Sequence, residues 1–309
     1  MNNIICIAGP TASGKTALAV ELAKEFNGEV VSCDSMYVYK RMNIGTAKPT
    51  AEEMQGIVHH MIDVAEPWED FSVSKYCDMA APIVDGIVAR GKTAIIAGGT
   101  GLYMDSLIKG NDFAVFPATG IREQLEAKAA EVGFETMLEE LRAVDPESAH
   151  RLKDTRRCIR ALEVYYETGI TITEHNRRTR EIPPRYQPLW IGLDFSERSE
   201  LYRRINLRVD IMLEMGLIAE IRELLDSGIP PRCTAMQAIG YKEFVAALNG
   251  ECTIEETADQ VRMFSRRYAK RQLTWFRRNP NIHWLTRETG QSSEEILEMA
   301  RQLIRESDK

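Results

Sequence analysis

Ile4-Ile5-Cys6-Ile7-Ala8 followed by Gly9-Pro10-Thr11-Ala12-Ser13-Gly14-Lys15-Thr16 decides how the rest of the chain is read. Five apolar residues in a row predict a strand buried on both faces, and the pattern from about Gly14 to Phe26 predicts a helix. Between them, Gly9 to Thr16 fits G-x-x-x-x-G-K-[ST], in the strand-turn-helix setting that this pattern requires. Its glycines let the backbone curl so that successive N–H groups point inward. The helix start adds its positive end, and Lys15 a mobile charge. Gly9, Pro10, Thr11, Ala12, Ser13, Gly14, Lys15 and Thr16 are therefore the candidate diphosphate-binding residues, with the Thr16 hydroxyl as a ligand for Mg²⁺. The motif specifies a di- or triphosphate and leaves the chemistry open.

Working outward, Glu29–Cys33 and Thr93–Ala97 predict further buried strands, with a helix around Ser74–Ala89 between them. The fold class is α/β, a P-loop-containing parallel sheet with helices on both faces and an inserted helical domain. The strand Thr93–Ala97 ends in Gly98-Gly99-Thr100-Gly101, without the Asp through which an ATPase holds its metal. Asp34 and Ser35 instead follow the strand Glu29–Cys33. Ligands of open parallel sheets bind beyond the carboxyl ends of the strands, so Asp34 and Thr100 are expected to face the phosphate loop.

From about Val115 to Pro188 the pattern turns helical, at Arg122–Val132, Thr136–Val144 and Thr155–Thr168. The expected organisation is a core over residues 1–114, an inserted helical domain over 115–188, and the rest of the core over 189–309. Pro188–Leu193 returns as a strand. Ser199–Ser227 reads as largely amphipathic helix, with Leu201, Ile205, Val209, Met212 and Leu213 on one face.

The composition, 44% hydrophobic and 28% charged, is that of a globular protein, and no apolar stretch is long enough for a signal peptide or a membrane span. Six scattered cysteines without C-x-x-C spacing read as reduced thiols, so a cytoplasmic location is expected. The net charge of -7 argues against nucleic acid, but its distribution argues for it. Arg262 to Arg278 holds seven Arg and Lys and no acid, interleaved with Tyr268, Trp275 and Phe276. No long exposed apolar face is evident, so a monomer is expected.

Several runs resemble the tRNA dimethylallyltransferases (tRNA isopentenyltransferases). They include Asp34-Ser35-Met36-Tyr37-Val38-Tyr39-Lys40, Ile44-Gly45-Thr46-Ala47-Lys48-Pro49, His59-His60-Met61-Ile62-Asp63 and Gly98-Gly99-Thr100-Gly101-Leu102-Tyr103. Further on are Arg157-Cys158-Ile159-Arg160-Ala161-Leu162-Glu163, Arg208-Val209-Asp210, Thr234 to Tyr241, and Ala269-Lys270-Arg271-Gln272-Leu273-Thr274-Trp275. The resemblance implies a dimethylallyl diphosphate donor, Mg²⁺, and modification of the adenine beside the anticodon in a tRNA stem-loop. One departure is Tyr37, where many relatives carry Gln. The zinc-binding extension of some eukaryotic relatives is absent, which suits a bacterial form.

With the resemblance in place, Asp34, Thr100 and Arg208 are the candidate catalytic residues, Asp34 as the general base. Candidates for tRNA contact are Asp34, Ser35, Met36, Tyr37, Thr100, Arg122, Arg157, Cys158, Ile159, Arg160, Arg266, Lys270 and Arg271. Arg204, one helical turn before Arg208, reads as a solvated charge, His59 and His60 as structural, and Trp275 and Phe276 as core. Three rivals share the phosphate loop. A small-molecule kinase and an enzyme prenylating free adenine nucleotides do not need the helical insertion and basic segment, and a nucleotide switch would need the missing Asp.

Overall fold

Alternation along the first strand sets the layers of the molecule. In the computed structural model, which describes residues 3–110 and 119–307, β1 spans Ile4–Ala8 and α1 spans Lys15–Glu25. Ile5 and Ile7 pack with Leu18 and Leu22 of α1 on one face of the sheet. Cys6 and Ala8 face the other side, with Tyr76, Val84 and Met104. Each fully buried aliphatic side chain of this kind contributes roughly 1.5–3 kcal/mol. Two-sided burial is why these strands read as unbroken apolar runs.

The chain continues through β2 (Gly28–Ser32), α2 (Ala51–Met54), β3 (His59–His60), α3 (Val73–Ala89), β4 (Thr93–Gly98) and α4 (Gly101–Lys109). The helices α5 (Ile121–Val144), α6 (Pro146–Arg151), α7 (Thr155–Thr168) and α8 (Ile172–Glu181) follow. Then come β5 (Leu189–Phe195), α9 (Arg198–Glu214), α10 (Leu217–Asp226), α11 (Tyr241–Leu248), α12 (Ile254–Phe276), β6 (Ile282–Arg287) and α13 (Ser293–Ser307). The six strands form one sheet in the order β3-β2-β4-β1-β5-β6, with every pair parallel.

The chain divides into two compact units, Met1–Ile108 with Tyr186–Lys309, and Lys109–Arg185. The expected boundary at 114/115 lies outside the described residues; at the other end, Tyr186 donates to Ala81 O and Asp85 Oδ1 within the sheet-bearing unit. The helical unit has its own core, built from Leu125, Met137, Leu141, Cys158 and Leu162. Helix α5 is interrupted at Gly133 (φ 78°), which separates the two helical runs read from the sequence.

One expectation needs correction. Ser199–Ser227 is two helices, α9 and α10, because Gly216 adopts φ 97° between them, ending α9 and capping the start of α10. Strands β3 and β6, which the sequence pattern does not announce, form the two edges of the sheet beside β2 and β5.

Candidate active site

The phosphate loop follows β1 and passes through left-handed backbone at Ala12 (φ 63°) and Gly14 (φ 93°). A Cβ at Gly9 would stand 2.8 Å from the Leu193 carbonyl oxygen, so the first glycine is required by the close approach of β5. Gly14 caps α1 without a side chain, which leaves the first N–H groups of the helix available to an anion. The Ser13 hydroxyl is buried with no hydrogen-bond partner among the described residues. An unpaired buried hydroxyl costs stability, and at this position a phosphoryl oxygen would satisfy it.

Lys15 donates to the Pro10 carbonyl at 2.6 Å, folding back across its own loop. Burial pushes its ammonium down to about 7, Arg208 adds to the effect, and Asp34 opposes it. The lysine is thus short of negative charge, the deficit that a diphosphate would fill.

The loops after β2 and β4 are tied together beside this cradle. The Cys33 N–H donates to Ala97 O at 2.8 Å and the Thr100 N–H to Cys33 O at 3.2 Å. A Cβ at Gly98 would lie 1.9 Å from Cys33 O, so only glycine permits this approach. Asp34 Oδ1 accepts the Met36 N–H at 2.9 Å, closing a local turn. Thr100 Oγ1 accepts the Ser35 N–H at 3.0 Å and donates to Ser35 Oγ at 3.3 Å. In this structure, therefore, the Thr100 hydroxyl holds the turn that carries Asp34.

Helix α9 brings two arginines to the same end of the sheet. Arg208 donates to Thr46 O at 3.0 Å and lies beside Tyr37, whose hydroxyl donates to Ala47 O at 2.8 Å. Burial pushes the Tyr37 phenol up to about 12, so it stays protonated. Residues 43–47 are held from below by Glu220, which accepts the Asn43 and Ile44 N–H groups at 2.8 Å and the Tyr241 hydroxyl at 2.5 Å. Gly45 has no room for a Cβ against Tyr241. Arg204 departs from the sequence reading. Its Nε donates to the Ala12 carbonyl at 3.0 Å and its guanidinium stacks on Phe195 at 5.6 Å, so it braces the phosphate loop. Helical spacing puts it on the face of Arg208; only the fold shows that this face meets the loop.

The basic helix α12 supplies further candidates. Arg266 donates to Asn206 Oδ1 at 2.6 Å, Lys270 is exposed, and Arg271 is exposed and stacks on Tyr268 at 5.6 Å. Tyr268 itself lies beside Thr100 and Gln272; burial, then the Asp34 charge, pushes its phenol up. Gln272 had no role in the sequence reading. Its Oε1 accepts the Thr11 N–H at 2.9 Å and its Nε2 donates to Gly99 O at 2.9 Å. Phe276 is core, whereas Trp275 is half-buried and donates to Asp105 at 2.9 Å.

In the helical unit, Arg157 is 74% exposed on α7. Arg122 and Arg160 both pair with Glu163 at 2.8 Å. Cys158 and Ile159 are buried, so their side chains build the core of the unit rather than its surface. His60 bonds Glu29 at 2.7 Å and His59 bonds Ile57 O at 2.9 Å, both in structural roles.

Mg²⁺ usually takes only one or two protein ligands, its remaining positions going to water and phosphate oxygens. Among the described residues no group of three or more His, Cys, Asp or Glu could hold a metal ion. The half-buried Thr16 hydroxyl in the first turn of α1 has no hydrogen-bond partner among them either, so it fits a site completed by phosphate and water.

Comparison with known proteins agrees along the whole chain. A family model described as IPP transferase matches residues 37–279. A tRNA dimethylallyltransferase of Acetivibrio thermocellus is 44% identical over 300 residues, covering 96% of each chain. One from a Thermoanaerobacter species is 48% identical over 297 residues, covering 95% of this chain and 94% of the relative. The crystal structure of the full-length tRNA isopentenylpyrophosphate transferase from Bacillus halodurans superposes with a TM-score of 0.74 at 42% identity, covering 100% of this chain and 99% of that one. A eukaryotic dimethylallyltransferase acting on tRNA gives a TM-score of 0.82 at 28% identity, covering 99% of this chain and 80% of that one.

Proposed function

The chain belongs to the IPP transferase family, and from that premise we propose that it transfers a dimethylallyl group from dimethylallyl diphosphate to the exocyclic amine of the adenine beside the anticodon in tRNA. The observation that carries this reading is the meeting of a phosphate cradle with a carboxylate that no cation pairs among the described residues. Asp34 stands past the end of β2, within electrostatic reach of Lys15, and accepts a single backbone N–H.

In the reaction, the exocyclic nitrogen of adenine attacks C1 of the dimethylallyl group. The C1–O bond breaks and its electron pair leaves with the diphosphate. The proton lost from nitrogen passes to the Asp34 carboxylate, a step worth on the order of 10²–10⁴ in rate. The N–H groups of the loop from Ala12 to Thr16, the Ser13 hydroxyl, Lys15 and Arg208 take up the charge growing on the diphosphate. Thr16 would hold Mg²⁺, which when bound adds positive charge at the leaving group. Thr100 and Ser35 keep the Asp34 turn in place.

A base stacked in an anticodon loop must be extruded to reach such a site, at a cost of a few kcal/mol. Phosphate contacts and stacking offset that cost. Arg157, Arg266, Lys270 and Arg271 are the cations proposed for the RNA. Cytoplasmic location and a monomeric chain belong to the same proposal; among the described residues no helix is long and apolar enough to cross a membrane.

The test is transfer of radiolabel from dimethylallyl diphosphate, with Mg²⁺, to unmodified tRNA, with AMP as competing acceptor and ATP hydrolysis followed separately. Label in tRNA is expected. Label in AMP alone would make this a free-nucleotide enzyme, and ATP consumption without label would make it a kinase or switch.

A further inference from the structure

The carboxamide of Gln272 joins two loops that come from different strands. Its Oε1 accepts from the Thr11 N–H of the phosphate loop at 2.9 Å, and its Nε2 donates to the Gly99 carbonyl, one residue before Thr100, at 2.9 Å. Gln272 is buried, 5% exposed, and a Cβ on Gly99 would stand 2.2 Å from Nε2, so the glycine leaves room for the amide. Gly99 in turn leads into Thr100, whose hydroxyl fixes the Asp34 turn through Ser35. Tyr268, one turn earlier on α12, lies beside both Thr100 and Gln272.

We infer that Gln272 is a positioning residue that sets the separation between the diphosphate cradle and the proton acceptor Asp34. The inference rests on the reaction proposed above and deepens it. The physical reason is rigidity. The amide is planar, its two ends lie a fixed distance apart, and both are engaged by backbone groups rather than by mobile side chains. In that reaction the leaving group and the departing proton lie on opposite sides of the reacting nitrogen–carbon pair. An error in the spacing of the two loops is felt in the transition state more than in either binding step, and misplacement by about 1 Å costs on the order of 10² in rate.

The choice of Gln follows from the same geometry. Thr11 offers a donor and Gly99 an acceptor, so the bridging group must accept at one end and donate at the other. A methionine of similar length does neither. A glutamate accepts from Thr11 but donates to Gly99 only when protonated.

Three measurements on intact protein test this: single-turnover transfer to tRNA, apparent KM for donor and tRNA, and amide exchange in residues 9–13. Gln272→Met is expected to lose about 10²-fold in kcat with each KM within a few-fold, and to lose protection at the Thr11 amide. Gln272→Glu is expected to recover relative to wild type as pH falls and the carboxyl becomes a donor. A Gln272→Met enzyme with wild-type kcat, or a Gln272→Glu profile parallel to wild type at every pH, would overturn the inference. Thermal unfolding run alongside identifies a Gln272→Met variant that has simply lost its fold, in which case the pH profile of Gln272→Glu decides, and a profile parallel to wild type overturns the inference. No label transfer by wild type would instead refute the parent reaction, leaving Thr11 exchange to report whether the bridge orders the loop.

Discussion

Glu29, at the amino end of β2, is bonded by His60 at 2.7 Å and by Arg90 and Lys92 at 2.9 Å. Asp34, just beyond the carboxyl end of the same strand, accepts only the Met36 N–H at 2.9 Å among the described residues. Burial alone would raise the Glu29 carboxyl, but the bonds from His60, Lys92 and Arg90 outweigh it and bring it down to about 2. A carboxylate so saturated is a poor proton acceptor; it serves to neutralise Arg90 and Lys92 at the amino end of β2. Asp34 keeps lone pairs free at the end of the sheet where the phosphate loop and Arg208 also lie. On the reaction proposed above, a structural acid and the proposed proton acceptor thus lie at opposite ends of β2, distinguished by their partners.

The largest expected effect that sharpens this contrast is on rate. Asp34→Asn keeps the turn to Met36 and is expected to lower transfer on the order of 10²–10⁴-fold without changing the unfolding midpoint. Glu29→Gln is expected to do the reverse, losing about 2 kcal/mol of stability in denaturant titrations while keeping its rate per folded molecule. The pH dependence has a definite sign. Because the folded Glu29 carboxyl is depressed to about 2, its stabilisation is present above the unfolded carboxylate range. The stability gap between wild type and Glu29→Gln should therefore shrink as pH falls from about 5 towards 2. A gap that widens on acidification would break the contrast.

A smaller effect is expected at Lys15, whose ammonium sits at about 7 in the free protein. A bound anion raises it, so inorganic diphosphate should be taken up together with a proton at pH 8 and with little proton uptake at pH 6. Calorimetry in buffers of different ionisation heat measures this uptake, and it should be lost in Lys15→Met. The smallest effect belongs to the exposed cations. Lys270→Ala should weaken tRNA binding a few-fold at low salt and reduce the salt slope by about one.

The site end of the sheet was legible because its signals are local. A five-residue apolar run, a glycine loop with Lys15, and Asp34 after an apolar strand each mark themselves without reference to distant residues. What was not legible depends on long-range packing. β6, Ile282-His283-Trp284-Leu285-Thr286-Arg287, buries only its first and fourth residues well, as an edge strand does, so neither period-two alternation nor an apolar run announces it. Gly216 breaks a helix whose apolar period runs on through Leu217, and nothing short of its backbone angle distinguishes it from a tolerated helical glycine. Arg204 and Gln272 act on carbonyls and amides far away in the chain, Ala12, Thr11 and Gly99, and a backbone partner leaves no residue type to search for. Cys158 and Ile159, carried into the RNA-contact set by a motif match, turned out to support the helix from inside.

The most direct test of the central claim is the single-turnover rate of dimethylallyl transfer to tRNA at saturating substrate, measured for Asp34→Asn beside Glu29→Gln. The account predicts a loss on the order of 10² or more for Asp34→Asn and a near-wild-type rate for folded Glu29→Gln. An Asp34→Asn enzyme that transfers at the wild-type rate would contradict it, and the proton acceptor would have to be sought elsewhere.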